Sequence, residues 1–136
     1  MKNIITTLGL IAILISCSAL KESNQVKNNK NVITNDTIRI ANDSLDYEII
    51  IIEPGFYGWL GTQPQRGYYT QSSMEITNQF KVREYNLRVL NPTRFDPNLY
   101  VWRIDYESKI DYGYEVNWLL YNYFLFFEKK YNQKLM

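Results

Sequence analysis

The chain has 136 residues, 15 basic against 14 acidic, with aromatic rings at 15% of positions, so one small domain is expected. Lys2 lies in an apolar leader, and the remainder balances at 14 against 14, which offers no broad cationic footprint for nucleic acid. There is no histidine and one cysteine, Cys17, so the commonest general base and metal ligand are absent and no internal disulfide can form.

After Met1-Lys2-Asn3, the run 4–16 is largely apolar and ends Leu14-Ile15-Ser16-Cys17. It falls short of the roughly 20 residues a spanning helix needs, and with one positive charge before it the segment reads as a signal peptide. Leu14 to Cys17 resembles a bacterial lipobox. That likeness implies cleavage before Cys17, a diacylglyceryl group on its sulfur and a palmitate-class acyl chain on its new amino terminus. The competing assignment, a catalytic thiol, lacks a histidine partner. Several acyl chains anchor stably where one is marginal. Ser18 after the cysteine resembles the outer-membrane form of the enterobacterial sorting rule, and Lys21-Glu22 is similar to the charged tag of some surface lipoproteins of Bacteroidota. Residues after Cys17 are rich in Asn, Lys and Ser without an apolar period, so they read as a tether spanning roughly 20–25 Å. The expected organisation is a lipoprotein signal peptide over 1–16, the lipidated cysteine and flexible tether over 17–34, and a single domain over 35–136.

In "DTIRI" (36–40), Ile38 and Ile40 share a face opposite Arg39, which predicts a short strand. "ANDS" (41–44) is turn chemistry. "YEIIIIE" (47–53) has a continuous β-branched centre and predicts a central strand buried on both faces, stopped by Pro54-Gly55. Ser72 and Glu75 make a capping-box pattern. Ile76, Phe80, Leu87 and Leu90 fall in one helical sector, so a helix over 73–90 is expected with that sector on the core. "LYVWRIDYE" (99–107) alternates as a third strand does, 111–113 turn the chain, and 114–131 form a second helix. Val116, Leu120, Tyr123, Phe127 and Tyr131 mark the core side of that helix. The predicted fold is α+β: a small, mainly antiparallel sheet of about three strands with two helices packed on it.

The stretches "DYEIIIIEPGF", "REYNLR" and "IDYGYEVNWLLYNYFLFFEKKYNQKL" together resemble a family of small Bacteroidota lipoproteins, the domain of unknown function numbered 6146. The resemblance covers about residues 35 to 135. It implies lineage and location, and it brings no activity, cofactor or catalytic residue.

Candidate surfaces come from the residues themselves. The loop over 54–69 carries glycines at 55, 58, 61 and 67, a spacing unlike the loops that cradle phosphate. Its rings Tyr57, Trp59, Tyr68 and Tyr69, with Gln63, Gln65 and Arg66, suit a glycan- or peptide-binding surface. A structural corner that plugs the core is the competing and favoured assignment. On the second helix, Tyr114, Trp118 and Leu125 lie opposite the core side. A helix apolar on two sides is either buried all round or docks a partner. Arg83 lies within the apolar sector of the first helix, and Glu115 is the expected structural ion-pair partner. The acidic set Asp105, Glu107, Asp111 and Glu115 lacks the order of a calcium loop, so no metal and no cofactor are expected. A carboxylate-based hydrolase is the low-ranking enzyme alternative. The leading expectation is an outer-membrane lipoprotein that acts as a non-catalytic binding or assembly module for an envelope protein. A glycan-binding module using the loop over 54–69 is the alternative.

Overall fold

The structure, a computed structural model, describes residues 36–136. The expected leader, Cys17 and the tether lie outside the described residues. The domain is α+β. Strands β1 (Thr37–Asn42) and β2 (Tyr47–Ile52) form an antiparallel hairpin with Ile38 opposite Ile51 and Ile40 opposite Ile49. Between them Asn42 accepts a hydrogen bond from Ser44 N at 3.0 Å, and Asp46 takes a left-handed φ of 51°, as short polar side chains permit.

Three helices follow: α1 (Phe56–Leu60), α2 (Gln71–Val89) and α3 (Gly113–Lys130). α3 is the axis of the core. It packs against β1, α1 and α2, and Val116, Leu120, Tyr123 and Phe127 are buried as predicted, together with Trp118, Leu119, Phe124 and Phe126. Ile38 and Ile40 close the sheet side of this core at 0% exposure. Apolar residues around the whole circumference of α3 thus reflect a helix wrapped on several sides by its own chain.

Three expectations need correction. The strand β2 is not buried on both faces. Ile49 and Ile51 face the core and are half-buried, whereas Ile50 and Ile52 are 57% and 76% exposed. The sheet has helices on one side only, so alternate isoleucines must face outward. The third strand does not form: Leu99 and Tyr100 belong to a turn that closes on Asp96 O, and residues 101–107 pair with no strand. From Ile104 to Glu107 several backbone groups are met by side chains. Asn86 donates from Nδ2 to Ile104 O and accepts from Ile104 N, both at 2.8 Å, Tyr47 Oη donates to Asp105 O, and Glu107 N donates to Tyr112 Oη. These contacts satisfy the peptide groups that a neighbouring strand would have taken.

The third correction concerns α2. Thr70, rather than Ser72, caps it by accepting from Ser73 N. The face turned to the core carries Met74, Asn78, Lys81, Val82 and Tyr85, while Ile76, Phe80, Leu87 and Leu90 point outward. Polar residues can occupy the inner face because α3 supplies their partners: Asn78 Nδ2 donates to Asn117 O at 3.0 Å, and Lys81 Nζ lies 2.6 Å from Glu128 Oε2. The seam is paired except at Asn78 Oδ1, which is buried and meets no donor among the described residues; a mostly paired polar seam is tolerated in a core, and hydropathy alone misassigns it.

Candidate functional site

The loop over 54–69 and the outward side of α3 meet. Gly55 has φ 88°, a left-handed turn that Pro54 leads into. Phe56 then drops into the core with its ring 5.7 Å from Phe126, and Trp59 lies 5.3 Å from the same ring. Further along, the Arg66 guanidinium sits 3.8 Å above the Trp118 ring and binds both oxygens of Glu115. That carboxylate pushes the Arg66 pKa above its ordinary value. Gly67 N donates to Tyr114 Oη at 2.6 Å, Tyr114 Oη donates to Tyr69 O, and the Tyr69 ring rests 5.1 Å from Tyr121. The loop is therefore both a corner and a lid over α3.

Two candidate surfaces of the sequence thus become one internal contact. Trp118 is buried at 4% exposure, Tyr114, Leu125, Trp59 and Tyr69 are half-buried, and Tyr57 and Tyr68 remain exposed. The expected pair of Arg83 with Glu115 does not form. Glu115 is taken by Arg66, and Arg83 lies on the outward face of α2, 5.4 Å over the Phe80 ring. A groove of about 510 Å³ lies above the lid contact, lined by Tyr57, Gln63, Gln65, Arg66 and Trp118 among others. The Trp118 Nε1 is buried and meets no hydrogen-bond acceptor among the described residues.

A second groove, of about 330 Å³, lies along β2. Ile49 to Glu53 form one wall, Asn98 to Ile104 the other, and Tyr123 and Tyr131 contribute from the end of α3. Glu53 N donates to Asp36 O, so with the hairpin register the pairs Ile38–Ile51 and Ile40–Ile49 are the hydrogen-bonded ones. The peptide groups of Ile50 and Ile52 consequently point away from β1, and among the described residues no hydrogen bond reaches their N–H. On the facing wall Val101 is 52% and Trp102 79% exposed. Sequence reasoning missed Trp102 because it placed 99–107 inside the sheet. The signal that could have found it is the isolation of 99–107 between two helices, far in sequence from the hairpin of β1 and β2.

The chain's family follows from a match over nearly its whole length. A family model, the family of unknown function DUF6146, matches residues 5–136. The chain belongs to that family. No curated protein and no solved structure matches it. In this DUF6146 member no group of three or more Cys, Asp or Glu gathers as metal ligands among the described residues, and no described helix is long and apolar enough to cross a membrane. Two of the four carboxylates considered for calcium have other partners. Asp111 accepts from Gln71 Nε2 at 2.7 Å and Gly113 N at 2.9 Å, and Glu115 holds Arg66. Beside them Tyr106 donates to Asn117 Oδ1 at 2.7 Å and stacks on Tyr112. Burial pushes the Tyr106 phenol up to about 12.

Proposed function

We propose that the chain is a Bacteroidota lipoprotein, anchored at the outer membrane through acylated Cys17, whose domain is a non-catalytic binding module for another envelope protein. The leader ending at Cys17 supports the anchor, and the family resemblance supports the lineage. The observation that carries the binding role is the open edge of β2 beside exposed Trp102. A partner fits there as an extended segment. Its backbone pairs with the free peptide groups of Ile50 and Ile52 as the third strand of the sheet, and its alternate side chains enter the groove. Unpaired, apolar strand edges invite association and are ordinarily blunted. Trp102 supplies the kind of aromatic anchor on which binding energy concentrates.

Two measurements test the two halves separately. Cys17→Ser should leave an unprocessed or mislocalised precursor. Normal lipid labelling and normal membrane fractionation of that variant defeat the anchor. A photo-reactive residue at position 52, in cells of the source lineage, should capture one envelope protein reproducibly, and Trp102→Ala should abolish that capture with stability changed by less than about 0.5 kcal/mol. Capture that is indifferent to Trp102 defeats the groove as the binding surface.

One observation favours a glycan instead: the groove lined by Tyr57 and Arg66, with polar Gln63 and Gln65 on its wall, and an unpartnered, buried Nε1 on Trp118, which also lines it. Titration with envelope oligosaccharides should then change tryptophan emission in a way that Tyr57→Ala removes.

A further inference from the structure

The groove along β2 has two unlike ends. Where β2 begins, Tyr47 Oη donates to Asp105 O, so the two walls are joined just beyond Ile49 and Ile104, the last residues that line the groove there. Where β2 stops, Tyr131 Oη donates to Glu53 Oε1 and Tyr100 Oη to Gln133 Oε1, both at 2.9 Å, which brings both walls to the chain after α3. Ile52 and Asn98 are exposed at that end. The wall over 98–104 therefore runs opposite to β2, and Arg103 lies toward the joined end. Two charged residues line the groove, Glu53 and Arg103. Glu53 is buried, and its Oε1 also accepts from Lys130 Nζ at 2.6 Å. Arg103 is exposed and forms no ion pair among the described residues. An unpaired cation at the closed end of an otherwise neutral groove is complementary to an anion placed there.

We propose that the groove captures the C-terminal end of its protein partner, antiparallel to β2, with the terminal carboxylate on Arg103. This inference rests on the edge of β2 as the binding surface and names the part of the partner that enters it. A segment laid between β2 and 98–104 meets the Tyr47–Asp105 junction, and the chain stops there. Charge selects which chain end that is. An amino terminus would set a second cation beside Arg103, whereas a carboxyl terminus supplies the missing anion.

Strand direction agrees with that choice. A carboxyl end at the start of β2 makes the added strand antiparallel, the sense in which β1 already pairs with β2. The terminal residue then lies opposite Ile50, whose N–H donates to one carboxylate oxygen while Arg103 holds the other. The residue two places earlier lies opposite Ile52 and uses the next outward peptide group. The side chain between these two points to the other face. There it meets Ile49, Ile51 and Leu99, which are half-buried and line the groove. The fitting partner thus ends in a free carboxylate with an apolar residue last but one.

The test uses the full chain in detergent. Random peptides displayed on a carrier with free C-terminal carboxylates are selected on it, and the enriched sequences are synthesised as acids and as C-terminal amides. The acids should bind about 10-fold tighter than the amides, the share of a charge-assisted hydrogen bond. Arg103→Gln should weaken the acids alone and erase that preference, while Trp102→Ala should weaken both forms. Acids and amides that bind alike overturn the proposal and assign the groove to a strand that passes through or to an internal acidic side chain. A preference for acids that survives Arg103→Gln overturns it as well, as does a selection that enriches nothing over the Trp102→Ala chain. Photo-capture at position 52 reads separately whether any partner uses the edge. Capture that depends on Trp102, without a preference for acids, defeats this inference alone, whereas peptide binding undiminished by Trp102→Ala defeats the groove itself.

Discussion

Lys81 Nζ lies 2.6 Å from Glu128 Oε2 with the lysine side chain 4% exposed, joining the middle of α2 to the end of α3. Glu128 is also held by the chain terminus, since its Oε1 accepts from Leu135 N at 2.8 Å. Removing one partner of such a pair strands the other charge away from water, and Lys81→Ala should lower stability by about 3 kcal/mol in urea denaturation. Lys81→Met combined with Glu128→Gln should be more stable than Lys81→Met alone, because glutamine still accepts from Leu135 N and carries no charge. A double variant less stable than the single one contradicts this account.

Gly55 and Gly58 should respond oppositely to alanine. An ideal Cβ on Gly55 sits 4.0 Å from the Phe126 ring, an ordinary contact, so its φ of 88° decides the outcome. Gly55→Ala should destabilise by about 1–2 kcal/mol through left-handed strain. Gly58 lies in α1 with nothing within 4 Å of an added Cβ. Gly58→Ala should be neutral or stabilising by up to about 1 kcal/mol. Thermal melts of the two variants give the comparison directly.

Trp118 is core with an arginine lid. Trp118→Ala should cost about 3–5 kcal/mol. With Trp59 and Trp102 replaced by phenylalanine, the remaining emission should be blue-shifted and protected from a soluble quencher. Arg66→Ala lifts the lid, and emission should then move red and become accessible, with only about 0.5–1 kcal/mol of stability lost for an exposed cation–π contact. Emission that is accessible before Arg66 is changed rules this arrangement out.

The hairpin, the helix at 71–89 and the helix at 113–130 were legible in the sequence because each rests on local signals: alternation at Ile38 and Ile40, helical periodicity around Phe127, and Pro54 as a stop. The orientation of α2 was not, because it is set by pairing across α3. Asn78 and Lys81 look solvent-facing until Asn117 and Glu128 are found opposite them. The same holds for 99–107, whose alternation is real but whose neighbour is the Asn86 side chain rather than a strand. Tyr57 and Arg66 came from one candidate surface and Trp118 from another, and the structure brings the three to one groove. Their mutual contact depends on the path of a loop, which periodicity does not encode. Trp102 was hidden by the strand assignment.

Tyrosine ionisation sets the alkaline limit of the fold. Burial raises the pKa of Tyr47, Tyr85, Tyr106, Tyr121, Tyr123 and Tyr131, and it is the first cause for each. A phenol is neutral when protonated, so a raised value means that the folded chain holds its proton more tightly than the unfolded chain does. Below the ordinary value of about 10 both states are protonated and the full stability is present. As pH rises past that value the unfolded chain ionises while the folded chain does not, and stability falls. The decline continues at least until Tyr106 titrates in the fold at about 12, with Tyr47 and Tyr123 displaced further in the same direction. Denaturation midpoints should therefore stay level up to about pH 9 and drop above about pH 10. Phenolate absorbance from these buried rings should appear in one cooperative step that coincides with loss of helical circular dichroism. Complete ionisation of all twelve tyrosines while the helical signal persists would show that the rings around α3 are open to water.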